Sequence, residues 1–464
     1  MTAAGSSQRA TVAVIGGGLA GLSAGSALAD AGYRIELFER RPYVGGRASS
    51  YELPATGEVV DNCQHVLLGC CTNLVDFYRR LGVEQQIRWY DEITFLLPGG
   101  RSSTLRPGAL PAPFHAAPSL LDSPLLDLKD KLTIVRAILT LLPGLPRDEG
   151  ENFLSWLLRH GQTQGAIDRF WAPVLVSALN EDLDRVSVHY AALVFRESFL
   201  KSAEAGRMGV PAVPLSQLYG TAAQYIEARA GKVHLRTAVE SVQVDGDAVR
   251  LCAGGEEIRA DYAVLAAPFD RAAKLLPNSP EGQTLREELR GFETSPITGI
   301  HLWFDRQITE LEHAVLLERT IQWMFHKSKI LATRQDSAGS GSYVELVVSS
   351  SKALVEMPRG EIIELAVREL GEFFPAVRQA RLVKAAVVKE LHATFSPAPG
   401  SDRFRPPNRT PWPRFLLAGD WTATGWPSTM EGAVRSGYSA AEALSGCKFV
   451  VADLPPKGLM QLIS

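Results

Sequence analysis

The sequence predicts an α/β fold in which a parallel sheet, drawn from both ends of the chain and one stretch between them, is interleaved with a unit of mixed sheet and helices. Three observations predict it. Residues 11–39 read as strand, glycine-rich turn, helix, strand and acid. Residues 232–267 read as a series of strands closing at Pro268. Residues 415–433 read as strand, Gly-Asp, turn-rich gap and helix start.

The first stretch opens on Thr11, Val12, Val14 and Ile15, whose β-branched side chains suit a buried strand. Gly16, Gly18 and Gly21 follow in G-x-G-x-x-G spacing, with Leu19 and Ala20 opening an Ala/Leu-rich helix. In that spacing the first glycine permits a tight turn, the second lets backbone approach a pyrophosphate, and the third lets helix and strand pack closely. Phosphate groups then sit on the free N–H groups at the helix N-terminus. Glu39 ends the second strand about 18 residues beyond Gly21, where an acid bonds a ribose hydroxyl. With strand, helix, strand and acid all in place, the reading is a dinucleotide-binding, Rossmann-like half.

Arg40, Arg41, Gly45, Gly46 and Arg47 continue the motif as E-R-R-x-x-x-G-G-R. Val59–Asp61 then ends a strand, and 72–81 has helical spacing. Between them lie Asn62, Cys63, Gln64 and His65, polar groups where a strand should enter a pocket. Cys63, Cys70 and Cys71 read as small buried hydrophobes.

Prolines punctuate residues 98–147, which also contain a helix near 129–142 with Leu132, Val135, Ile138, Leu139 and Leu142 on one broad apolar face. That face reads as core, as a lid over a substrate tunnel, or as a surface dipping into lipid. The helix is too short to span a bilayer, and no run of about 18 apolar residues occurs anywhere, so no transmembrane span is expected. Residues 151–230 read as mostly helical. Residues 232–244, 248–254 and 257–268 read as three strands, with hairpin turns at Asp247 and at Gly254-Gly255. Residues 297–304 and 341–350 read as a second sheet, covered by an amphipathic helix over 361–374. A proline-rich linker at 406–413 leads to Phe415–Ala418, Gly419 and Asp420, and then to a helix whose first turn holds Glu431, Gly432 and Ala433.

Composition bounds the rest. The 464 residues are 46% hydrophobic and 21% charged, which suits a globular protein with a large core. A net charge of −3 gives no electrostatic footprint for nucleic acid. Five cysteines make no disulfide framework and agree with a reducing, cytoplasmic setting. No metal site is expected.

The fingerprint, the G-G-R string and the terminal A-G-D…M-E-G-A-V-x-S-G are similar to the FAD-dependent amine oxidase and phytoene desaturase superfamily. Within it, VVDNCQHVLLGCCTNLVDFYRRLGV and GVPAVPLSQLYGTAAQYIEARAG resemble the hydroxysqualene dehydroxylases. The resemblance implies FAD, held by the N-terminal motif residues together with Val239, Gly419, Asp420, Met430, Gly432 and Ala433. Helix N–H groups would face the flavin's electron-rich edge, and Asp420 the ribityl hydroxyls. It implies an FAD domain from segments 1–90, 205–275 and 408–450, a substrate domain from 91–204 and 276–407, and a tail at 451–464. It further implies a C30 isoprenoid substrate, hydroxysqualene, reduced to squalene with loss of water, and peripheral membrane contact through residues 120–146. His65, or Asp61 acting through it, is the expected proton donor to the leaving hydroxyl. The electron donor is left open. The resemblance departs at Cys63, where relatives carry glycine. Carotenoid-type desaturation and a non-catalytic isoprenoid carrier on the same fold are the alternatives. Amine oxidation is disfavoured, because no Lys or Cys is placed to attach flavin covalently.

Overall fold

The computed structural model describes residues 9–54, 57–148, 150–331 and 341–462. Its nucleotide-type sheet is five-stranded and parallel, in the order Lys232–His234, Arg34–Phe38, Thr11–Ile15, Tyr262–Leu265 and Phe415–Leu417. Val12 pairs with Ile35 on one side and Tyr262 on the other, and Val264 pairs with Leu416. Side chains on both faces of the central strands are buried, as in a parallel sheet covered by helices. Helix Leu19–Asp30 carries Ala, Gly and Ser at most positions and is buried along all but its last residue. Such small side chains let it pack against the sheet and against helix Met430–Ser445, where Ser23 Oγ donates to the Val434 carbonyl.

A seven-stranded mixed sheet runs Leu382–Phe395, Thr294–Phe304, Ser342–Ser349, Trp323–Phe325, His313–Leu316, Ile93–Leu96 and Ser102–Leu105. Among the described residues, only its pairing of Val315 with Phe95 and Leu316 with Leu96 is parallel. Alternation along these strands sends neighbours to opposite faces. Ala314, Leu316, Met324, Leu346 and Val348 join the core beneath helix Arg359–Phe373, packed against Ile362, Ala366 and Leu370. Val315, Trp323, Phe325 and Val347 face a cavity instead. One sheet thus builds a core and a binding wall from a period of two.

Helices Leu128–Leu141, Phe153–Arg159, Ala172–Leu179 and Val188–Phe195 close the other side around Trp156, Trp171 and Phe195.

The structure corrects several local readings. Residues 232–244 form two strands in different sheets, broken near Arg236 at φ 55°. Residues 256–265 likewise divide, Glu256–Ala260 staying in the antiparallel hairpin and Tyr262–Leu265 entering the parallel sheet. Met208–Pro211, inside the stretch read as helical, is a strand paired with Ile87–Tyr90 and Leu67–Leu68. Its Gly209 and Pro211 are poor strand formers, so local propensity did not reveal it. The helix near 129–142 spans Leu128–Leu141 behind an Asp127–Asp130 capping box, but its core face is Ile134, Ala137 and Leu141. Leu128, Leu132 and Leu139 point to solvent at 71, 62 and 50% exposure.

Candidate active site

A cavity of about 730 Å³ runs from the carboxyl ends of the parallel strands to the wall of the mixed sheet. Ligands in open parallel sheets occupy this position, beyond the strand ends. Gly16, Gly18, Leu19 and Ala20 line it, as do Glu39, Arg40 and Arg41. Gly45, Gly46, Arg47 and Val239 join them, and from the last segment come Gly419, Asp420, Met430 and Ala433.

The two glycine turns are built against each other. Gly45 N–H donates to the Gly17 carbonyl at 2.8 Å, and Gly18 and Gly45 form a parallel bridge. Gly16 adopts φ 113°, and a Cβ there would lie 2.7 Å from the Ala266 carbonyl oxygen. Gly46 adopts φ 63°, and its Cβ would lie 2.9 Å from Gly18 Cα. Gly18 differs, because a Cβ on it would meet nothing nearer than 3.9 Å. That position opens onto the cavity beside a helix whose N-terminus no side chain caps. Bare N–H groups with room in front of them fit a pyrophosphate.

Glu39 is buried, its two oxygens accepting from the N–H groups of Gly17 and Arg41, each at 2.8 Å. A carboxylate has about four acceptor positions, so two remain for ribose hydroxyls. Arg47 pairs with Asp420, 373 residues further along the chain, and Ser428 donates to the other Asp420 oxygen. Buried Arg405, which the sequence reading passed over, fixes this loop. Its guanidinium donates to the carbonyls of Asp420 at 3.1 Å and Thr422 at 2.6 Å, and to Thr424 Oγ1 at 2.9 Å.

Two predicted contacts are reassigned. Gly21 does not line the cavity; a Cβ there would fall 1.9 Å from the Gly16 carbonyl, which is the close helix–strand packing expected of the motif's third glycine. Gly432 does not line it either. Its N–H donates to Thr429 Oγ1 at 3.0 Å, and a Cβ would meet the Pro427 carbonyl at 2.6 Å. Among the described hydrogen bonds, the N–H groups of Met430 and Glu431 have no acceptor, and both residues line the cavity. These earlier N–H groups, rather than those of Gly432 and Ala433, are the donors available to a flavin edge.

Asn62, Cys63, Gln64 and His65 do line the cavity, as the polar string implied. Cys63 is accommodated because residue 299 opposite is glycine, and burial pushes its thiol up, leaving it a neutral packing group. His65 Nδ1 lies 2.8 Å from the Cys63 carbonyl. A carbonyl only accepts, so Nδ1 carries a proton and Nε2 is the nitrogen left for a substrate. Burial lowers the His65 pKa from its ordinary value, outweighing the Cys63 hydrogen bond. In its neutral form the ring therefore presents an acceptor, which corrects the expectation of a ready proton donor.

Asp61 is corrected more strongly, since it does not line the cavity. Its Oδ1 accepts from Ser50 Oγ at 2.7 Å and from Leu215 N–H at 3.1 Å. Its Oδ2 lies 3.0 Å from Lys327 Nζ. Burial raises its pKa, but Lys327, Ser50 and Leu215 together hold it below the ordinary carboxylate value. Glu345, 3.3 Å from the same ammonium, is pushed by burial up to about 7. The sequence reading missed Lys327 and Glu345. The available signal was a glutamate in the middle of the apolar strand SYVELVVS.

Residues 19–445 match the family model for flavin containing amine oxidoreductase. The chain belongs to that family. This flavoprotein is 28% identical to the 15-cis-phytoene desaturase of Synechococcus elongatus, over 93% of its own length and 95% of the relative's. It is 27% identical to the chloroplastic/chromoplastic zeta-carotene desaturase of Arabidopsis thaliana, over 96% and 87%. In fold it is similar to an oxidoreductase from Methanosarcina mazei, with TM-score 0.72 and 19% identity over 93% of this chain and all of that one. It is also similar to the cyclohexylamine oxidase of Brevibacterium oxydans, with TM-score 0.70 and 17% identity over 95% and 99%. FAD is the cofactor, and the uncapped helix, the Glu39 carboxylate and the open N–H groups at Met430 and Glu431 fit it.

Gly18 offers a clean test. Gly18→Leu meets no steric conflict at its Cβ but fills the space before the helix N-terminus. The variant should fold normally and bind FAD at least about tenfold more weakly, a loss of about 1.4 kcal/mol. The ratio of flavin to protein absorbance after gel filtration, beside an unchanged far-UV circular dichroism spectrum, checks this.

Proposed function

We propose that this flavoprotein reduces hydroxysqualene to squalene with loss of water. The observation that carries the reading is a cavity lined mainly by apolar side chains along the mixed sheet and helices, with the polar stretch Asn62–His65 set into its wall. A pure hydrocarbon has no group to bond such a wall, whereas an alcohol does. The resemblance of residues 59–83 and 209–231 to hydroxysqualene dehydroxylases supports the same substrate. In the net change, R–OH gains a hydride at carbon and a proton at oxygen, giving R–H and water. Bound and reduced, FAD supplies the hydride.

The chain's own part is to bind, orient and protonate. Neutral His65 accepts a hydrogen bond from the hydroxyl at Nε2 and so selects where the C–O bond lies. Protonated at Nε2, it donates to the departing oxygen, help typically worth about 10²–10⁴-fold. The side chains of Ile297, Val315, Trp323 and Phe325 exclude water from the hydrocarbon.

Desaturation is the second reading, favoured by the acceptor at Nε2 and by the relatives' names. It would use neutral His65 to take a proton, and pH separates the two. The donating form is favoured as pH falls, and the lowered pKa puts its titration below about 6.5. Reductive kcat should therefore rise as pH falls from about 8 toward about 6, and His65→Ala should abolish this dependence while retaining FAD. Stopped-flow reoxidation of anaerobically reduced enzyme by hydroxysqualene, with squalene measured as product, checks it. Reduced enzyme that ignores hydroxysqualene, and oxidised enzyme that desaturates phytoene faster at higher pH, would establish the second reading.

We further propose that the substrate enters from a lipid surface. A second, smaller cavity is lined by Val135, Ile138 and Leu139 of helix Leu128–Leu141 and shares Phe95, Leu105, Val174 and Phe199 with the main one. An exposed leucine face therefore lies over an apolar path to the site, and exposed apolar patches mark such contacts. No described helix is long and apolar enough to cross a membrane. The double change Leu128→Glu and Leu132→Glu should lower the liposome-bound fraction at least roughly tenfold. Turnover of detergent-solubilised substrate should persist. Unchanged flotation would count against this route.

A further inference from the structure

We propose that Lys327 is a positioning residue for the reaction, acting through the side chain of Gln64 to hold the cavity wall that carries His65. The inference deepens the proposed function and rests on it for the identity of the reaction.

Lys327 follows the strand Trp323–Phe325 and is 1% exposed. Lysine is almost never so deeply buried without partners, because desolvating the ammonium is expensive. Its Nζ donates to Gln64 Oε1 at 2.8 Å and Asp61 Oδ2 at 3.0 Å, and Glu345 Oε2 lies 3.3 Å away as an ion-pair partner. Two of these partners, Asp61 and Glu345, are counter-charges. The third is a neutral amide on the cavity wall, and it has a different consequence.

A side-chain amide can flip, exchanging its acceptor end for its donor end. An ammonium donates only, so Lys327 admits one orientation, with Oε1 toward itself. Gln64 Nε2 is then obliged to face the other way, where it donates to the His65 carbonyl at 2.9 Å. With that carbonyl anchored, the turn closes on itself, and His65 Nδ1 meets the Cys63 carbonyl at 2.8 Å. The sequence Lys327 ammonium, Gln64 amide, His65 backbone and His65 ring thus determines which ring nitrogen faces the substrate. Asp61 and Glu345 hold the ammonium in place. Asp61 has Ser50 and Leu215 as further donors, so it does not depend on the Gln64 amide.

Lys327→Met would leave two buried carboxylates without a cation and endanger the fold, so the test uses Gln64→Met. This change keeps side-chain volume, leaves Lys327 between Asp61 and Glu345, and removes only the amide. Holoenzyme labelled with ¹⁵N-histidine, its His65 signals assigned against His65→Gln, reports the ring tautomer without any substrate. The wild type should show one tautomer, protonated at Nδ1, and Gln64→Met a mixture of two. With hydroxysqualene, kcat should fall about tenfold with KM unchanged. A Gln64→Met enzyme whose His65 signals match the wild type, or whose tautomers mix while kcat holds, overturns the proposal. Wild-type enzyme inert toward hydroxysqualene sinks the assigned reaction instead, and the tautomer measurement still decides the role of Lys327.

Discussion

The site depends on how closely backbone can approach backbone at the ends of the parallel strands. Gly16 lies against the Ala266 carbonyl and Gly46 against Gly18 Cα, with no room for a Cβ at either contact. These approaches bring two turns from one end of the chain onto the strand Tyr262–Leu265, and the Arg47–Asp420 pair ties the last segment to them. With the turns so fixed, one position is left unfilled. The space before Gly18 and the uncapped helix behind it are suited to receive a nucleotide's charge.

A buried charge organises the opposite wall. Lys327 reaches from the substrate-side sheet to Asp61 and Gln64 in the first segment, so an ion pair and an amide join the two units of the fold. Buried pairs are weak contributors to net stability, since desolvation offsets much of the attraction. They are demanding about geometry, however, because a displaced partner leaves a charge without compensation. A cavity wall on which His65 is proposed to present one particular nitrogen benefits from that demand.

Apolar side chains are concentrated on one part of the cavity wall. Polar groups gather near the glycine turns and on the Asn62–His65 wall, while the mixed sheet turns alternate residues inward as a mainly apolar lining that also includes Glu390 and Thr394. The same period of two supplies the core beneath helix Arg359–Phe373. At the far end helix Leu128–Leu141 divides its apolar residues between Ile134, Ala137 and Leu141 inside and Leu128, Leu132 and Leu139 outside. A helix with leucines on both its inner and outer faces has two surfaces to satisfy, and the protein covers only one of them.

Local signals in the sequence were enough to determine the α/β class, the glycine turns, Glu39, the Gly419-Asp420 strand end and the polar string at 62–65. Each rests on chemistry confined to a few neighbouring residues: a turn that needs glycine, a strand that needs branching, a helix with one face. Tertiary structure alone decided the rest. Asp61 reads as a catalytic acid until Lys327, Ser50 and Leu215 are seen to occupy its carboxylate. Gly432 reads as a flavin contact until Thr429 takes its N–H. The outward leucines of 128–141 and the strand at Met208–Pro211 were equally hidden. What a buried polar group does is set by its partners, and here those partners lie up to several hundred residues away, beyond the reach of any local pattern.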